Sequence, residues 1–330
     1  MILIDADVLG RNRTGEETYV LNLLRQLPFV APDLSFAAVT RHPELVPEGI
    51  ESIELPARFQ EARMAVSLPR LLRRLRPELS HFQHALPLGL RGPSVVTIHD
   101  LHFEHDPSVM GLLDRVTFKA VVPRAVRKAD HVLAVSERTK RDVVELYGVS
   151  PDKVTVTPHG VDPAFAPGGG SHDGYLLFVG AVQARKDPLA ALAAAEAAGV
   201  PLVVVGPEKD PELARELRAR GADVRGWVEK PELAELYRRA GALILPSRYE
   251  GFGVPVLEAM ASGTPVVLSD DEALREVAGD AGVYGELGDA VRRAFAEHGR
   301  YARAGLERAA QFTWEESTRR TADVYRKVLA

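Results

Sequence analysis

The 330-residue sequence contains no cysteine, which excludes a disulfide framework, a thiolate metal site and a cysteine nucleophile. It also has no run of about 18 apolar residues, roughly the length that a membrane-crossing helix needs. The stretch Met1–Asp5 lacks the basic start and the small-residue cleavage site of a secretion signal. These absences predict a soluble protein of the cytoplasm.

A strong positive charge is missing as well, because 41 lysines and arginines stand against 46 aspartates and glutamates, for a net charge of -5. Proteins that bind nucleic acid usually carry a strongly positive face, so we expect no nucleic-acid partner. No Gly-x-Gly-x-x-Gly follows a predicted strand, and no Gly-x-x-x-x-Gly-Lys occurs. The usual evidence for a dinucleotide-dependent dehydrogenase or a phosphate-loop NTPase is therefore absent.

The chain does contain short apolar runs that alternate with helical patterns, which is typical of parallel sheets with crossover helices. The predicted strands are Ile2–Ile4, Ser35–Val39, Ser80–Phe82, Val95–Ile98, His131–Val135, Val154–Val156, Tyr175–Val179, Leu202–Val205, Val224, Ala242–Leu245 and Pro265–Leu268. Two prolines and four glycines in 162–174 indicate a hinge. We therefore predict an α/β protein with a first domain over 1–165, a second over 174–312, and a helix over 313–330 that could cross back to the first domain.

The most informative segment, Glu250-Gly-Phe-Gly-Val-Pro-Val-Leu-Glu258, lies between two predicted strands. Gly251 and Gly253 let the backbone approach a ligand closely, and Pro255 suits the start of a helix. Free N–H groups and the positive dipole end at a helix start favour an anion such as phosphate. Carboxylates repel phosphate, so Glu250 and Glu258 are assigned to hydroxyls of a sugar or a ribose. The alternative is that Glu258 is an acid of the first helical turn, stabilised by the dipole.

Two further pairs follow predicted strands. Arg185 and Lys186 follow the strand that ends at Val179, and two adjacent cations there could hold a diphosphate in place of a metal ion. A solvated pair is disfavoured, because cations stabilise the C-terminus of a helix rather than its start. His99 and Asp100 close another strand and bring an imidazole that titrates near neutral pH beside a carboxylate, although a lone histidine is more often structural.

Weaker signals have ordinary structural interpretations as well. Gly15 is a single glycine that could lie against a phosphate, and Ser136 fits an N-cap better than a ligand contact. Asp5-Ala-Asp7 imitates a metal-binding Asp-x-Asp pair, an imitation that we expect to be accidental. The range 58–76 holds six arginines and includes a predicted basic amphipathic helix, so peripheral contact with the inner face of a membrane is an open alternative.

The spacing of Glu250 and Glu258 resembles the Glu-x7-Glu signature of the retaining glycosyltransferases of family 4. Arg185-Lys-Asp187, Ile98-His-Asp-Leu101, Val135–Lys140 and His159-Gly-Val-Asp162 resemble further elements of that family, although histidine stands where asparagine is more usual at position 159. The resemblance implies two Rossmann-like α/β domains facing across a cleft, the GT-B fold. It also implies a nucleotide-sugar donor held mainly by the second domain, an acceptor entering by the first, retention of anomeric configuration, and neither metal nor cofactor.

The resemblance also implies roles for single residues. Glu258 would hold the ribose, and Arg185 and Lys186 would hold the leaving diphosphate. Glu250 and the backbone of Phe252, Gly253 and Val254 would hold the sugar, which His99 would contact near its reacting carbon. Further substrate contacts would come from Gly15, Asp100 and Ser136. The Ile98–Leu101 stretch is most similar to the mannosyltransferase branch, so GDP-mannose is the first expected donor and a UDP-hexose the second. A glycan or a lipid-linked compound is the expected acceptor. The alternatives are a nucleotide-sugar epimerase of the same architecture and a non-catalytic binding protein.

Overall fold

The structure, a computed structural model, describes residues 1–11, 14–105 and 111–330, with only the backbone of 14 and 112–115. It divides into unit 1, Met1–His159 with Trp314–Ala330, and unit 2, Gly160–Thr313. Residues 12 and 13, next to the predicted glycine loop, lie outside the described residues. Among the helices described, none is both long and apolar enough to cross a membrane.

Unit 1 contains a sheet of seven parallel strands in the order β3-β2-β1-β4-β5-β6-β7. The strands are β1 Ile2–Asp5, β2 Phe36–Thr40, β3 Glu51–Glu54, β4 Leu79–Gln83, β5 Ser94–Ile98, β6 His131–Ala134 and β7 Val154–Val156. The helices are α1 Thr14–Val30, α2 Gln60–Ala62, α3 Leu68–Leu75, α4 His102–His105, α5 Leu112–Lys128, α6 Glu137–Tyr147 and, much later in the chain, α14 Trp314–Leu329.

Two apolar clusters lie on the two faces of this sheet, because neighbouring side chains of a strand point to opposite faces. Ile2 and Ile4 belong to one cluster and Leu3 to the other. The first cluster also contains Trp314 and Tyr325 of α14, which packs against α1. The last helix is thus a core element of unit 1.

The basic region 58–76 has the burial pattern of an ordinary surface helix. Helix α3 buries Leu68, Leu71 and Leu72 in the second cluster and exposes its arginines. Arg63 is the exception, since it is fully buried and donates two hydrogen bonds to the Asp5 carboxylate, at 2.6 and 3.0 Å. Packing of leucines on the sheet therefore accounts for the amphipathic pattern.

Unit 2 contains a second parallel sheet, with six strands in the order β10-β9-β8-β11-β12-β13. The strands are β8 Leu176–Val179, β9 Leu202–Val205, β10 Asp223–Gly226, β11 Ala242–Leu245, β12 Val266–Leu268 and β13 Gly282–Val283. The helices are α7 Pro188–Ala198, α8 Pro211–Ala219, α9 Lys230–Arg239, α10 Val254–Ala261, α11 Glu272–Ala278, α12 Leu287–Ala296 and α13 His298–Ala309.

The chain divides after His159 rather than at 165, and the proline- and glycine-rich segment belongs to unit 2. Its Phe165 is 4% exposed and packs edge-on against Tyr237, with ring centroids 5.6 Å apart. Its Asp162 accepts a hydrogen bond from Lys230 Nζ at 2.6 Å. These contacts fix the start of the segment on α9.

Gly206→Ala should destabilise unit 2. Gly206 has φ +140°, and a Cβ there would lie 2.1 Å from the carbonyl oxygen of Gly180. Backbone strain alone costs about 1–3 kcal/mol, and the clash adds to it. Urea unfolding followed by circular dichroism measures the loss. The control, Gly299→Ala on α13, meets nothing within 4 Å and should change stability by less than about 1 kcal/mol. Equal stabilities of the two variants would contradict the close approach of the two backbones.

Candidate functional site

The main group of predicted site residues lies in unit 2, at the carboxyl ends of β8 and β11. Strand order reverses between these two strands, and open α/β sheets bind ligands at such a reversal. After β8 the chain makes a single 3₁₀ turn, Ala184–Lys186, which carries both predicted cations. After β11 it runs through 250–253 and enters α10. The topology thus brings the two most informative sequence segments to one edge of the sheet.

Arg185, Lys186 and Glu250 form a buried ion cluster at this edge, each with less than a tenth of its surface exposed. Lys186 Nζ donates a hydrogen bond to Glu250 Oε1, and Arg185 Nη1 lies 3.6 Å from Glu250 Oε2. Arg185 Nη1 also donates to the carbonyl of Tyr249, and the Arg185 carbonyl accepts from the N–H of Arg248 at 2.9 Å. These bonds lock the two loops together.

The cluster keeps Glu250 ionised. Burial on its own raises the pKa of the Glu250 carboxyl, but the positive charges of Lys186 and Arg185 outweigh burial and hold the pKa below its ordinary value of 4.5. The cluster itself contains two cations and one carboxylate, and the buried Asp271 lies beside it, since its Oδ2 accepts a hydrogen bond from the Glu250 N–H at 3.3 Å. The two adjacent cations are the groups there that suit an anionic ligand.

The turn between Glu250 and α10 is buried. Phe252 is 4% exposed, and its ring packs edge-on against Phe312 with centroids 6.0 Å apart. Gly253 is the N-cap of α10 and has φ +108°, and a Cβ there would lie 2.8 Å from Leu274 Cδ2. Val254 is the first helical residue. The positive φ and the neighbouring Leu274 side chain both favour glycine at this position.

Glu258 lies in the second turn of α10, so the alternative that it is a first-turn acid is wrong. Its Oε2 accepts a hydrogen bond from the hydroxyl of Tyr237 at 3.0 Å, and part of its surface remains exposed. Burial raises the pKa of this carboxyl to about 8, while Tyr237 and Lys230 act in the opposite direction. Near neutral pH the free protein therefore carries a protonated Glu258.

His99 lies in unit 1 at the carboxyl end of β5 and is 9% exposed. Its Nε2 hydrogen-bonds to Gln83 Oε1 at 2.8 Å, and the Tyr19 ring meets it edge-on with centroids 4.9 Å apart. Burial lowers the pKa of His99 to about 4, and the nearby His84 adds to the effect. The expectation that His99 titrates near neutral pH is therefore wrong, because its surroundings keep the imidazole neutral.

The other predicted residues of unit 1 have local partners. Asp100 Oδ1 lies 2.6 Å from His102 Nδ1. Ser136 is buried and caps α6, since its Oγ accepts a hydrogen bond from the N–H of Thr139 at 3.0 Å. Gly15 lies inside α1, where a Cβ would meet nothing within 4 Å. The geometry thus gives Ser136 its capping role and sets no steric requirement for glycine at position 15.

Asp5 and Asp7 are partners of arginines. Asp7 accepts hydrogen bonds from Arg41 at 2.8 and 3.0 Å and from Arg11, and Asp5 pairs with the buried Arg63. Within the described ranges, no group of three or more His, Asp and Glu residues could hold a metal ion. The Asp-x-Asp pattern at β1 therefore has a structural explanation.

Two features near the predicted site residues were not predicted from the sequence. Tyr237 carries no motif, and only its place on the buried face of α9 points to it. A hydrogen-bonded chain near His99 was missed as well, in which His81 joins the hydroxyls of Tyr325 and Thr97 at 2.6 and 2.7 Å. No spacing in the sequence links residues so far apart.

Solved structures share this architecture. Sucrose-phosphate synthase from Thermosynechococcus elongatus superposes with a TM-score of 0.79 at 20% identity, covering 99% of this chain and 98% of that one. At this identity the likeness concerns the fold alone. The two parallel α/β units define a protein of the GT-B fold class.

Sequence profiles place the chain within that class. A profile described as "Glycosyl transferases group 1" matches residues 173–300, and one described as "Glycosyltransferase Family 4" matches residues 13–165. The two ranges together cover most of the chain. The chain belongs to the group 1 glycosyltransferases of family 4.

Curated relatives act on different sugars and acceptors. O-antigen chain mannosyltransferase B of Escherichia coli is 28% identical over 71% of this chain and 70% of its own length. D-inositol 3-phosphate glycosyltransferase of Kribbella flavida is 29% identical over 99% of this chain and 94% of its own length. Alignments with several other relatives span 55–65% of those proteins.

Glu258→Gln should remove a pH dependence of stability. The folded carboxyl keeps its proton up to about pH 8, whereas the unfolded chain ionises near the ordinary value of 4.5. The stability that this group contributes is therefore fully present below 4.5 and is lost as pH rises towards 8. The Tm of Glu258→Gln, relative to the unchanged protein, should rise between about pH 5 and about pH 8. An unchanged difference would contradict the raised pKa.

Glu250→Gln is the matched variant, for which we expect a pH dependence of stability of the opposite sign. Its folded pKa is depressed, so the ionised group contributes stability above 4.5 that is lost as pH falls below this value. Near neutral pH the substitution removes the carboxylate charge that Lys186 and Arg185 contact, at a cost of about 3–5 kcal/mol. Thermal melts of both variants across the same pH series check the two signs.

Proposed function

We propose that the protein transfers a hexose from a nucleotide-diphosphate sugar to a hydroxyl of an acceptor, with retention of anomeric configuration. The supporting observation is the buried cluster of Arg185, Lys186 and Glu250 at the strand-order reversal of unit 2. Its two cations suit a diphosphate, and its carboxylate suits hydroxyl donors on the sugar.

The reaction breaks the bond between the sugar carbon C1 and the diphosphate oxygen, and the electron pair goes to the diphosphate. The acceptor oxygen bonds to C1 on the same face, and its proton leaves with the diphosphate. Negative charge therefore grows on the leaving group as the bond breaks. Arg185 and Lys186 are already fixed by the Tyr249 carbonyl and Glu250, so they need not move as the charge develops. They therefore stabilise the transition state more than the bound donor.

Glu258 suits the ribose of the donor. A carboxyl that is protonated near neutral pH can donate to one hydroxyl and accept from another, which fits a vicinal diol. The backbone at Gly253 and Val254 forms the N-terminal end of α10, whose N–H groups and dipole suit the sugar or its phosphate. His99, a neutral imidazole, keeps its proposed contact with the transferred sugar and acts there as a hydrogen-bonding group, because its pKa of about 4 makes it a weak base.

GDP-mannose is the first proposed donor and a UDP-hexose the second. The resemblance at 98–101 to mannosyltransferases supports the order, as does the likeness to the Escherichia coli O-antigen enzyme. The proposed acceptor is a glycan or a lipid-linked compound. We further propose a cytoplasmic location, with peripheral contact at the inner face of the membrane through the exposed arginines of α3.

An epimerase would need an acid and a base on either side of one sugar carbon. His99 suits neither role near neutral pH, because burial lowers its pKa to about 4. A non-catalytic binding protein would hold the donor without consuming it. The first alternative predicts a rearranged nucleotide-sugar, and the second predicts an intact one.

The function is tested in two stages. A thermal-shift panel of nucleoside diphosphates should identify the base, with GDP giving the largest shift. The protein is then incubated with GDP-mannose and a mannose-terminated glycan acceptor in excess chelator, and NMR follows the product. We expect an α-linked product and full activity, because the two cations take the place of a metal ion. A β-linked product or a strict metal requirement would contradict the proposal. So would donors that stay intact when both GDP-mannose and a UDP-hexose are offered with glycan and with lipid-linked acceptors.

Removing either cation should weaken the diphosphate interaction. Truncating one member of a buried charge pair costs about 2–5 kcal/mol, so Kd for GDP should rise about 30-fold or more in Arg185→Ala or Lys186→Ala. Binding of guanosine, which lacks phosphate, should not change. The matched control is Arg215→Ala, because Arg215 is exposed and pairs with Glu212 on α8. Calorimetry that finds GDP bound equally well by all variants would exclude the diphosphate role.

A further inference from the structure

Tyr237 is a fully buried side chain of α9 whose phenol reaches the candidate site. Its hydroxyl donates a hydrogen bond to Glu258 Oε2 at 3.0 Å. The bond joins α9 to α10 and engages one of the two carboxyl oxygens. The other oxygen, Oε1, belongs to a residue that keeps part of its surface exposed. One side of the carboxyl is therefore held by the protein while the residue still reaches solvent.

Neighbouring contacts hold the phenol in place. The Phe165 ring packs edge-on against it, with centroids 5.6 Å apart and an interplanar angle of 80°. The Tyr237 carbonyl accepts a hydrogen bond from Thr264 Oγ1 at 2.6 Å, so the end of α9 is tied to the turn after α10. The hydroxyl thus has a fixed position, and so has the carboxyl oxygen that it contacts.

The phenol remains a donor throughout the working pH range. Burial raises the pKa of Tyr237 well above its ordinary value of 10, and the charge of a nearby ionised Glu258 adds to this effect. The hydrogen bond therefore persists whether Glu258 is protonated or ionised. A phenol whose pKa is raised in this way keeps its proton near neutral pH, so it can orient the carboxyl in both states.

We propose that Tyr237 is a positioning residue for the nucleotide, because it holds Oε2 of Glu258 and so orients the carboxyl for Oε1 to meet the ribose hydroxyls. The proposal rests on the assignment of the ribose to Glu258 under the proposed function. Tyr237 acts without touching the ligand. It restricts rotation of the Glu258 side chain before the nucleotide binds. Binding therefore costs less conformational entropy. The benefit is confined to nucleotides that carry ribose hydroxyls.

The experiment compares GDP with 2′,3′-dideoxy-GDP, and UDP with its dideoxy analogue, by calorimetry on the whole chain. Tyr237→Phe keeps the ring and removes only the hydroxyl. Kd for the ribose nucleotide should rise about tenfold, equivalent to about 1.4 kcal/mol, and Kd for the dideoxy analogue less than about twofold. Equal weakening of both nucleotides, or no change in either, would overturn the proposal, and so would the failure of the unchanged protein to bind GDP or UDP.

Tyr175→Phe is the matched control, because the Tyr175 hydroxyl donates to the Leu236 carbonyl of the same helix at 2.7 Å. It should leave the preference for the ribose nucleotide unchanged. In a Glu258→Ala background, Tyr237→Phe should have no further effect on either Kd. A further loss there would show that Tyr237 acts independently of Glu258.

Glu258→Ala also separates the two proposals. If this variant keeps the full preference for GDP over its dideoxy analogue, Glu258 does not hold the ribose and the assignment under the proposed function fails. If Glu258→Ala loses the preference and Tyr237→Phe retains it, only the positioning role of Tyr237 fails.

Discussion

The site in unit 2 depends on a buried cluster in which two cations share one carboxylate. Removing such ions from water costs several kcal/mol each, and only close, well-directed partners compensate for it. Lys186 and Glu250 are 64 residues apart in the chain and meet because β8 and β11 pair in one register, with Leu176 opposite Ala242. Strand register and ion pairing thus support each other, since a slipped strand would leave charges buried without partners.

Much of the fold could be predicted from the sequence, because central parallel strands are buried on both faces and read as continuous apolar runs. The runs at Leu202–Val205 and Ala242–Leu245 coincide with β9 and β11. The two missed strands are at sheet edges. Glu51–Glu54 has a single apolar residue and is largely exposed, and Gly282–Val283 is only two residues long. At the edge of a sheet, main-chain hydrogen bonds to one neighbour can form a strand whose sequence has no apolar pattern, so such a strand is not predicted.

The residues that the structure brings together in the candidate site of unit 2 were named from the sequence, but their electrostatics were not predicted. Motif and strand position pointed to Arg185, Lys186, Glu250 and Glu258, yet the two glutamates have opposite pKa shifts, which neighbours distant in sequence produce. Cations from one loop lower the pKa of Glu250, whereas burial raises that of Glu258. Burial likewise makes His99 a weak base. Local sequence does not specify how much water reaches a side chain.

Unit 1 is built from two stretches of chain that are separated by the whole of unit 2. Tyr325 of α14 fills the core beside Ile2 and Ile4, and its hydroxyl bonds to His81. On the ribosome, this core stays incomplete while 160–313 are synthesised. At about 5–20 residues per second, the nascent sheet waits roughly 8–30 s for its last helix. Unit 1, most of which is made first, therefore cannot complete its core until residues 314–330 have been made.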